Sequence, residues 1–330
     1  MKAAIHLKYG PPEVIFLAEV EKPIAKANEI LIKIYASTVN RTDAGFRSAE
    51  YVISRFWSGL FKPKYPILGS EFAGVVESCG AQVSEFKVGD LVFGYNDKTF
   101  GGHAEYLAID ERNAVRIVPK NMDIYEAAAL TEGAHYALNI IRAAKVKKDH
   151  KVLVYGASGA IGSSAVQLLK YFGAFVTAVC NTKNIALVKN LGADEVIDYE
   201  KEDFLKCTHR FDFIFDAVGK SSFYSCKPIL QEKGVYISTE LGKYAQNVFL
   251  AIMAPLLKGK KVLFPIPPDL SKEDINFLGT LAEQGYFKPV IDSYYSLSEI
   301  REAYQYVGTG QKTGNVILKL ADFPESKIIT

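Results

Sequence analysis

Two rhythms of apolar positions divide the chain. Up to residue 122 they come in short, partly alternating runs broken by glycine: Met1–Ile5, Ile30–Ala36, Phe72–Gly80, Leu91–Gly94, His103–Ile109 and Asn113–Val118. Alternation at this period marks strands with one face buried, and strands this short predict a compact antiparallel, barrel-like domain. Between two of them, residues 41–66 carry Phe46, Tyr51, Phe56, Trp57, Phe61 and Tyr65. A loop this aromatic either covers an apolar substrate or plugs the core of its own domain. From Asp123 the pattern lengthens. Helices are expected at Ile124–Leu130 and Ala134–Ala144. Strands at Val152–Tyr155, Phe175–Val179, Glu195–Ile197, Phe211–Asp216, Val235–Ser238 and Lys261–Phe264 then alternate with helical stretches. That alternation predicts a doubly wound parallel sheet. A helix over 271–285 and a strand at Asn315–Leu320 follow.

The apolar run Val152–Tyr155 leads into Gly156, Ala157, Ser158, Gly159, Ala160, Ile161 and Gly162, and then into Ala165, Val166, Leu168 and Leu169 at helical spacing. Strand, glycine turn and helix form the phosphate-binding start of a dinucleotide fold. The glycines let the backbone approach a pyrophosphate, and the helix start offers N–H groups and the positive end of its dipole. The strict spacing wants glycine at 157, 159 and 162; here 157 is Ala and the extra glycine is Gly156.

The residue after the second strand of such a fold reads the adenosine ribose, and an acid there favours NAD over NADP. Here Val179-Cys180 runs into Asn181, Thr182 and Lys183, with no acid. Two hydrogen-bonding side chains and a cation suit a 2′-phosphate, so NADPH is the expected cofactor. A solvated lysine opening a surface helix is the plainer account of Lys183. Tyr199, after the third strand, flanks the same place.

Bulk properties narrow the partners. A formal net charge of +2 on 330 residues points to neither nucleic acid nor an anionic membrane. The longest apolar stretch, Val248–Leu257, contains Pro255 and is too short to span a bilayer. The N-terminus lacks the layout of a signal peptide, and the cysteines at 79, 180, 207 and 226 form no CxxC pair. They read as small buried apolar residues in a reducing compartment, and a cytoplasmic location is expected.

Several stretches together resemble the zinc-free quinone oxidoreductase-like branch of the medium-chain dehydrogenase/reductase superfamily. They are Lys2-Ala3-Ala4, Val39–Asp43, Pro66–Val76, Val88–Gly94, Gly102–Tyr106, Glu126–Leu130, Leu191–Tyr199 and Phe211–Asp216, around the glycine turn. The resemblance covers nearly the whole chain. It implies a Rossmann domain over 123–267 and a GroES-like, β-barrel-type catalytic domain over 1–122 and 268–330, meeting at a substrate cleft. The zinc enzymes of the superfamily bind a catalytic metal through Cys, His and Cys. These positions fall at Asn40, Ser70 and Thr131, whose amide and hydroxyls are poor zinc ligands, so no metal is expected.

By the same resemblance, Asn40 and Thr131 lie near the nicotinamide, and Thr42 takes the place of a proton-relaying hydroxyl. His135 stands where the family commonly has Ser or Thr, as a donor to substrate or a helix residue satisfied internally. Val218 and Ser238 complete the expected cofactor contacts. Without a Lewis acid, hydride must go to an acceptor that is already electrophilic, which favours quinones. Reduction of an enone or alkenal double bond is the alternative, and a non-catalytic NADPH-binding protein is a third reading. The last cofactor-domain strand, Lys261–Phe264, implies a homodimer, supported by Phe249–Leu257; an ordinary lysine-guarded edge is the other reading.

Overall fold

The computed structural model describes residues 1–50, 55–256, 258–265 and 270–324. It divides into two compact units, Met1–Glu132 with Leu270–Thr330, and Gly133–Asp269. The first unit opens with a hairpin of β1 (Lys2–His6) and β2 (Ile15–Glu19). Next comes β3 (Glu29–Val39), the spine of a seven-stranded sheet. It is followed by α1 (Arg41–Ser48), α2 (Arg55–Ser58), β4 (Glu71–Cys79), β5 (Leu91–Tyr95), β6 (Tyr106–Asp110), β7 (Val115–Ile117) and α3 (Ile124–Ala128). Ile30, Ile32 and Ile34, two apart along β3, share one face and are buried against Phe72, Val76, Val92, Leu107 and Ile109.

The segment expected to be a loop is therefore partly helical. Asn40 caps α1 by accepting a hydrogen bond from the Asp43 N–H, which is the usual reward for a short polar side chain at that position. Its aromatic rings divide: Phe46 and Tyr65 pack on the core around Phe100, while Phe56 and Phe61 are exposed. Tyr51 and the Trp57 side chain lie outside the described residues.

The second unit takes in most of α4 (Glu132–Ala144) and then β8 (Lys151–Tyr155), α5 (Ala160–Tyr171), β9 (Phe175–Cys180), α6 (Ile185–Asn190), β10 (Glu195–Asp198) and β11 (Phe211–Asp216). It continues with α7 (Phe223–Cys226), β12 (Leu230–Ser238), α8 (Gln246–Met253) and β13 (Lys261–Leu263). Every pair in its sheet is parallel, in the order β10-β9-β8-β11-β12-β13. The order reverses between β8 and β11, the switch point outside which such sheets bind ligands.

The tail returns to the first unit with α9 (Lys272–Glu283), β14 (Ile291–Ser296), α10 (Ile300–Gly308) and β15 (Asn315–Lys319). β15 pairs antiparallel with the C-terminal half of β3, whose N-terminal half pairs with β6. Residues 123–132, assigned above to the cofactor domain, belong to the first unit, because α3 packs on β3 and β4. All four cysteines are free; Cys180 and Cys226 are buried, but Cys79 and Cys207 are only half-buried. Among the described residues no helix is long and apolar enough to cross a membrane.

Candidate functional site

The glycine turn follows β8 directly. Gly156 has φ of 81°, a conformation that side chains disfavour, and both Gly156 and Ala157 donate N–H groups to the Val179 carbonyl at 3.1 Å. A Cβ on Gly156 would lie 2.4 Å from Val218 Cγ1, and one on Gly162 would lie 2.1 Å from the Gly156 carbonyl oxygen. Gly159, the N-cap of α5, has no such crowding: its nearest neighbour would be 3.6 Å away. Two glycines thus fold the loop, and the third keeps the helix start open to a ligand. This cradle fits a pyrophosphate.

Val218 is held against the cradle by Asp216. The Asp216 carboxylate accepts from the N–H groups of Val218 (3.2 Å) and Ser221 (2.9 Å) and from the Tyr236 hydroxyl (2.9 Å). Ser238 is buried, and its hydroxyl accepts from the Glu240 N–H at 3.2 Å, so it caps the turn after β12.

At the end of β9, where the sequence itself has no acid, the fold brings two from the end of β10 and the turn after it. Asp198 ends β10, whose parallel register sets it beside Cys180. Thr182 Oγ1 donates to Asp198 Oδ2 at 2.6 Å, and the Thr182 N–H donates to Glu200 Oε2 at 3.0 Å. Thr182 and Lys183 are exposed, Asn181 is half-buried, and Tyr199 is 47% exposed.

The first unit holds a second polar cluster. Asn40, Ser70 and Thr131 are buried and joined through Glu71. Asn40 Nδ2 donates to Ser70 Oγ at 2.9 Å and lies 3.5 Å from Thr38 Oγ1. Thr38 Oγ1 donates to Glu71 Oε2 at 2.5 Å. Glu71 Oε1 accepts from Thr131 Oγ1 (2.8 Å), the Thr131 N–H (3.1 Å) and the Glu132 N–H (2.6 Å). Thr42 Oγ1 donates to Glu132 Oε1 at 2.6 Å. Burial and the nearby Glu71 charge push the Glu132 carboxyl well above the usual carboxylate range. His135 lies in the second unit, buried, with its ring 4.8 Å from that of Tyr136.

Behind this cluster Asp43 Oδ1 accepts from the Ser70 N–H at 3.1 Å, which braces the loop. Its Oδ2 is buried without a hydrogen bond, 3.9 Å from His103 Nε2. His103 Nε2 is 2.8 Å from the Thr38 carbonyl, which makes it the donor, and leaves Nδ1 to accept from the Tyr304 hydroxyl at 3.5 Å. Burial lowers the His103 pKa to about 4. Burial, with the Glu71 charge, raises that of Asp43 to about 8.

A carboxyl raised on folding binds more protons folded than unfolded, so its contribution to stability falls as pH rises from the unfolded value, ~4, to about 8. Asp43→Asn lacks this slope, while His103 is common to both proteins and cancels. Melting temperatures between roughly pH 5 and 8 should therefore show wild type losing ground to Asp43→Asn as pH rises. Parallel curves would refute the protonated Asp43.

Sequence reasoning missed Glu71, Glu132, His103 and Glu200. One signal was visible: Glu71 is a carboxylate fused to the unbroken apolar run Phe72–Val76.

Residues 26–120 match the alcohol dehydrogenase GroES-like domain, and residues 191–318 match the zinc-binding dehydrogenase family. Over 96% of its length the chain is 33% identical to a 2-methylene-furan-3-one reductase of Solanum lycopersicum, covering 79% of that protein. It is 30% identical to an NADPH-dependent alkenal/one oxidoreductase, chloroplastic, of Arabidopsis thaliana, with the same coverage, 96% and 79%. A solved quinone oxidoreductase from Coxiella burnetii superposes with a TM-score of 0.86 at 27% identity, covering 97% of this chain and 99% of the other.

Proposed function

Because the chain belongs to the medium-chain dehydrogenase/reductase superfamily, in its quinone oxidoreductase-like branch, we propose that it reduces quinones with NADPH and without zinc. It is an oxidoreductase of this type. The observation that carries it is the hydrogen-bonded set Asn40–Ser70–Glu71–Thr131. At the positions where the zinc enzymes hold their metal, this chain has an amide and two hydroxyls tied to one another and to a buried carboxylate. Such donors do not fit a catalytic zinc, although one matching family is called zinc-binding. Chemistry without a Lewis acid suits an acceptor that is already electron-poor.

The glycine cradle fits the dinucleotide, and NADPH when bound would supply the hydride. A quinone takes one proton beyond the hydride to become a hydroquinone. We assign that transfer to the Thr42 hydroxyl, and its half-burial and its hydrogen bond to Glu132, a carboxyl whose pKa burial raises, support the reading. Enone or alkenal reduction is the second reading, favoured by the names of the two plant relatives; it needs the same hydride and delivers the proton to carbon.

Absorbance loss at the nicotinamide band, with a panel of quinones and enones, tests both. The expected outcome is oxidation of NADPH that survives dialysis against a chelator, with kcat lowered about 100-fold in Thr42→Val. Tight NADPH binding with no oxidation across the panel would replace the enzyme with a binding protein.

A homodimer and a cytoplasmic location belong to the same proposal. β13 has no partner on its outer side among the described residues, and Phe249, Ile252 and Leu256 nearby are each more than 60% exposed. Leu257 lies outside the described residues. Light scattering should give twice the chain mass, 36.5 kDa; a monomer at micromolar concentration refutes it. Four free cysteines suit a reducing compartment, which the cytoplasm is.

A further inference from the structure

Thr182 is the first residue past Asn181 at the end of β9, where the fold reads the adenosine ribose. Its N–H and hydroxyl are both engaged by carboxylates from the neighbouring strand and the turn after it. The two acids differ in what holds them. Asp198 is buried, and its Oδ1 accepts from the Glu200 N–H at 3.1 Å. Its Oδ2 receives Thr182 Oγ1 and lies 3.3 Å from Lys201 Nζ. The Thr182 hydrogen bond, ahead of these others, keeps its carboxyl below the usual range. Asp198 is therefore fixed and already satisfied.

Glu200 is exposed, and among the described residues its carboxylate reaches only the Thr182 N–H. It is an anion resting on a backbone donor that a 2′-phosphate would also use, and it can leave at small cost. With a 2′-hydroxyl in place of the phosphate, it need not leave, since a carboxylate accepts from a hydroxyl.

We propose that Glu200 supplies from the turn after β10 the acid that β9 lacks, and that it sets the preference between NADPH and NADH. This rests on the dinucleotide reading above. Glu200 competes with the 2′-phosphate for Thr182 and repels it, while Lys183 attracts it. The protein therefore takes both cofactors, with NADPH held less tightly than the lysine alone would allow.

The test is direct binding of NADPH, NADH, 2′,5′-ADP and 5′-AMP to the full chain by calorimetry, for wild type and Glu200→Gln. Gln keeps the size and removes the charge, and the side chain is exposed, so the variant should fold. NADPH and 2′,5′-ADP should bind Glu200→Gln about tenfold more tightly, with no gain for NADH or 5′-AMP. The gain should shrink with added salt, as a charge effect must. Equal changes for phosphorylated and unphosphorylated ligands, or none, would overturn the role of Glu200 while leaving the dinucleotide site standing. Failure of wild type to bind any of the four would remove the site itself, and the proposal with it.

Discussion

Gly162→Ala is expected to lower NADPH affinity at least about 100-fold, the scale of effect produced by moving a binding group by about 1 Å. The added methyl would lie 2.1 Å from the Gly156 carbonyl oxygen and 2.9 Å from Ala157 Cα. Both obstacles are backbone, so no rotamer change relieves them. The loop cannot retreat easily, because Gly156 and Ala157 are tied to Val179 and the Gly159 N–H donates to the Gly156 carbonyl at 3.1 Å. Stability should fall by about 1–3 kcal/mol, as for other overpacked positions. Gly159→Ala is the control. Its methyl would meet nothing closer than 3.6 Å, so its melting temperature should match wild type. Calorimetry and thermal melts on both variants decide the matter; NADPH affinity in Gly162→Ala within threefold of wild type would show that the turn is not the cradle.

Glu71→Ala should cost about 3–5 kcal/mol of stability, because several buried donors lose their one acceptor together. The carboxylate is fully buried and takes four hydrogen bonds, from two hydroxyls and two backbone N–H groups. Removing it leaves the donors facing a cavity, and an unsatisfied buried donor costs about 1–3 kcal/mol. Glu71→Gln keeps the volume but turns an NH2 group toward hydrogen-bond donors, so it too should destabilise, though less. Urea unfolding of the three proteins measures this. A loss under 1 kcal/mol in Glu71→Ala would mean that the network is not what holds Asn40, Ser70 and Thr131 in place. The same truncation should unpin Thr131 and α4, whose first N–H is bound by Glu71.

The parts legible in the sequence were those written in local order. Strand, glycine turn and helix are consecutive, and the βαβ alternation dictates the parallel sheet. The alternation of Ile30, Ile32 and Ile34 likewise marks the inner face of β3. Elements on the surface were harder. β2 exposes both Phe16 and Leu17, so its apolar residues show no period of two. Helix α1 announces itself only through Asn40 as N-cap, amid aromatic residues that suggest a loop. The carboxylates were illegible for another reason. Glu132 reads as an ordinary acid in the first turn of α4, and nothing in its neighbours reveals Glu71, 61 positions away. Glu200 reaches Thr182 because two parallel strands end side by side, and the sequence separates those ends by a helix and a turn.

The pairing of β15 with β3 has a consequence for how the chain reaches its native state. During synthesis the second unit is complete once residue 269 has emerged, and it can fold from contiguous sequence. The first unit cannot. The C-terminal half of β3 must wait, one edge bare, until Val316 to Lys319 arrive from the end of the chain. Closing so long a loop is slow, and an unpaired strand edge invites the wrong neighbour. The nascent protein should thus be most dependent on chaperones in its oldest part, and loss of the last strand should harm the first unit rather than the last one made.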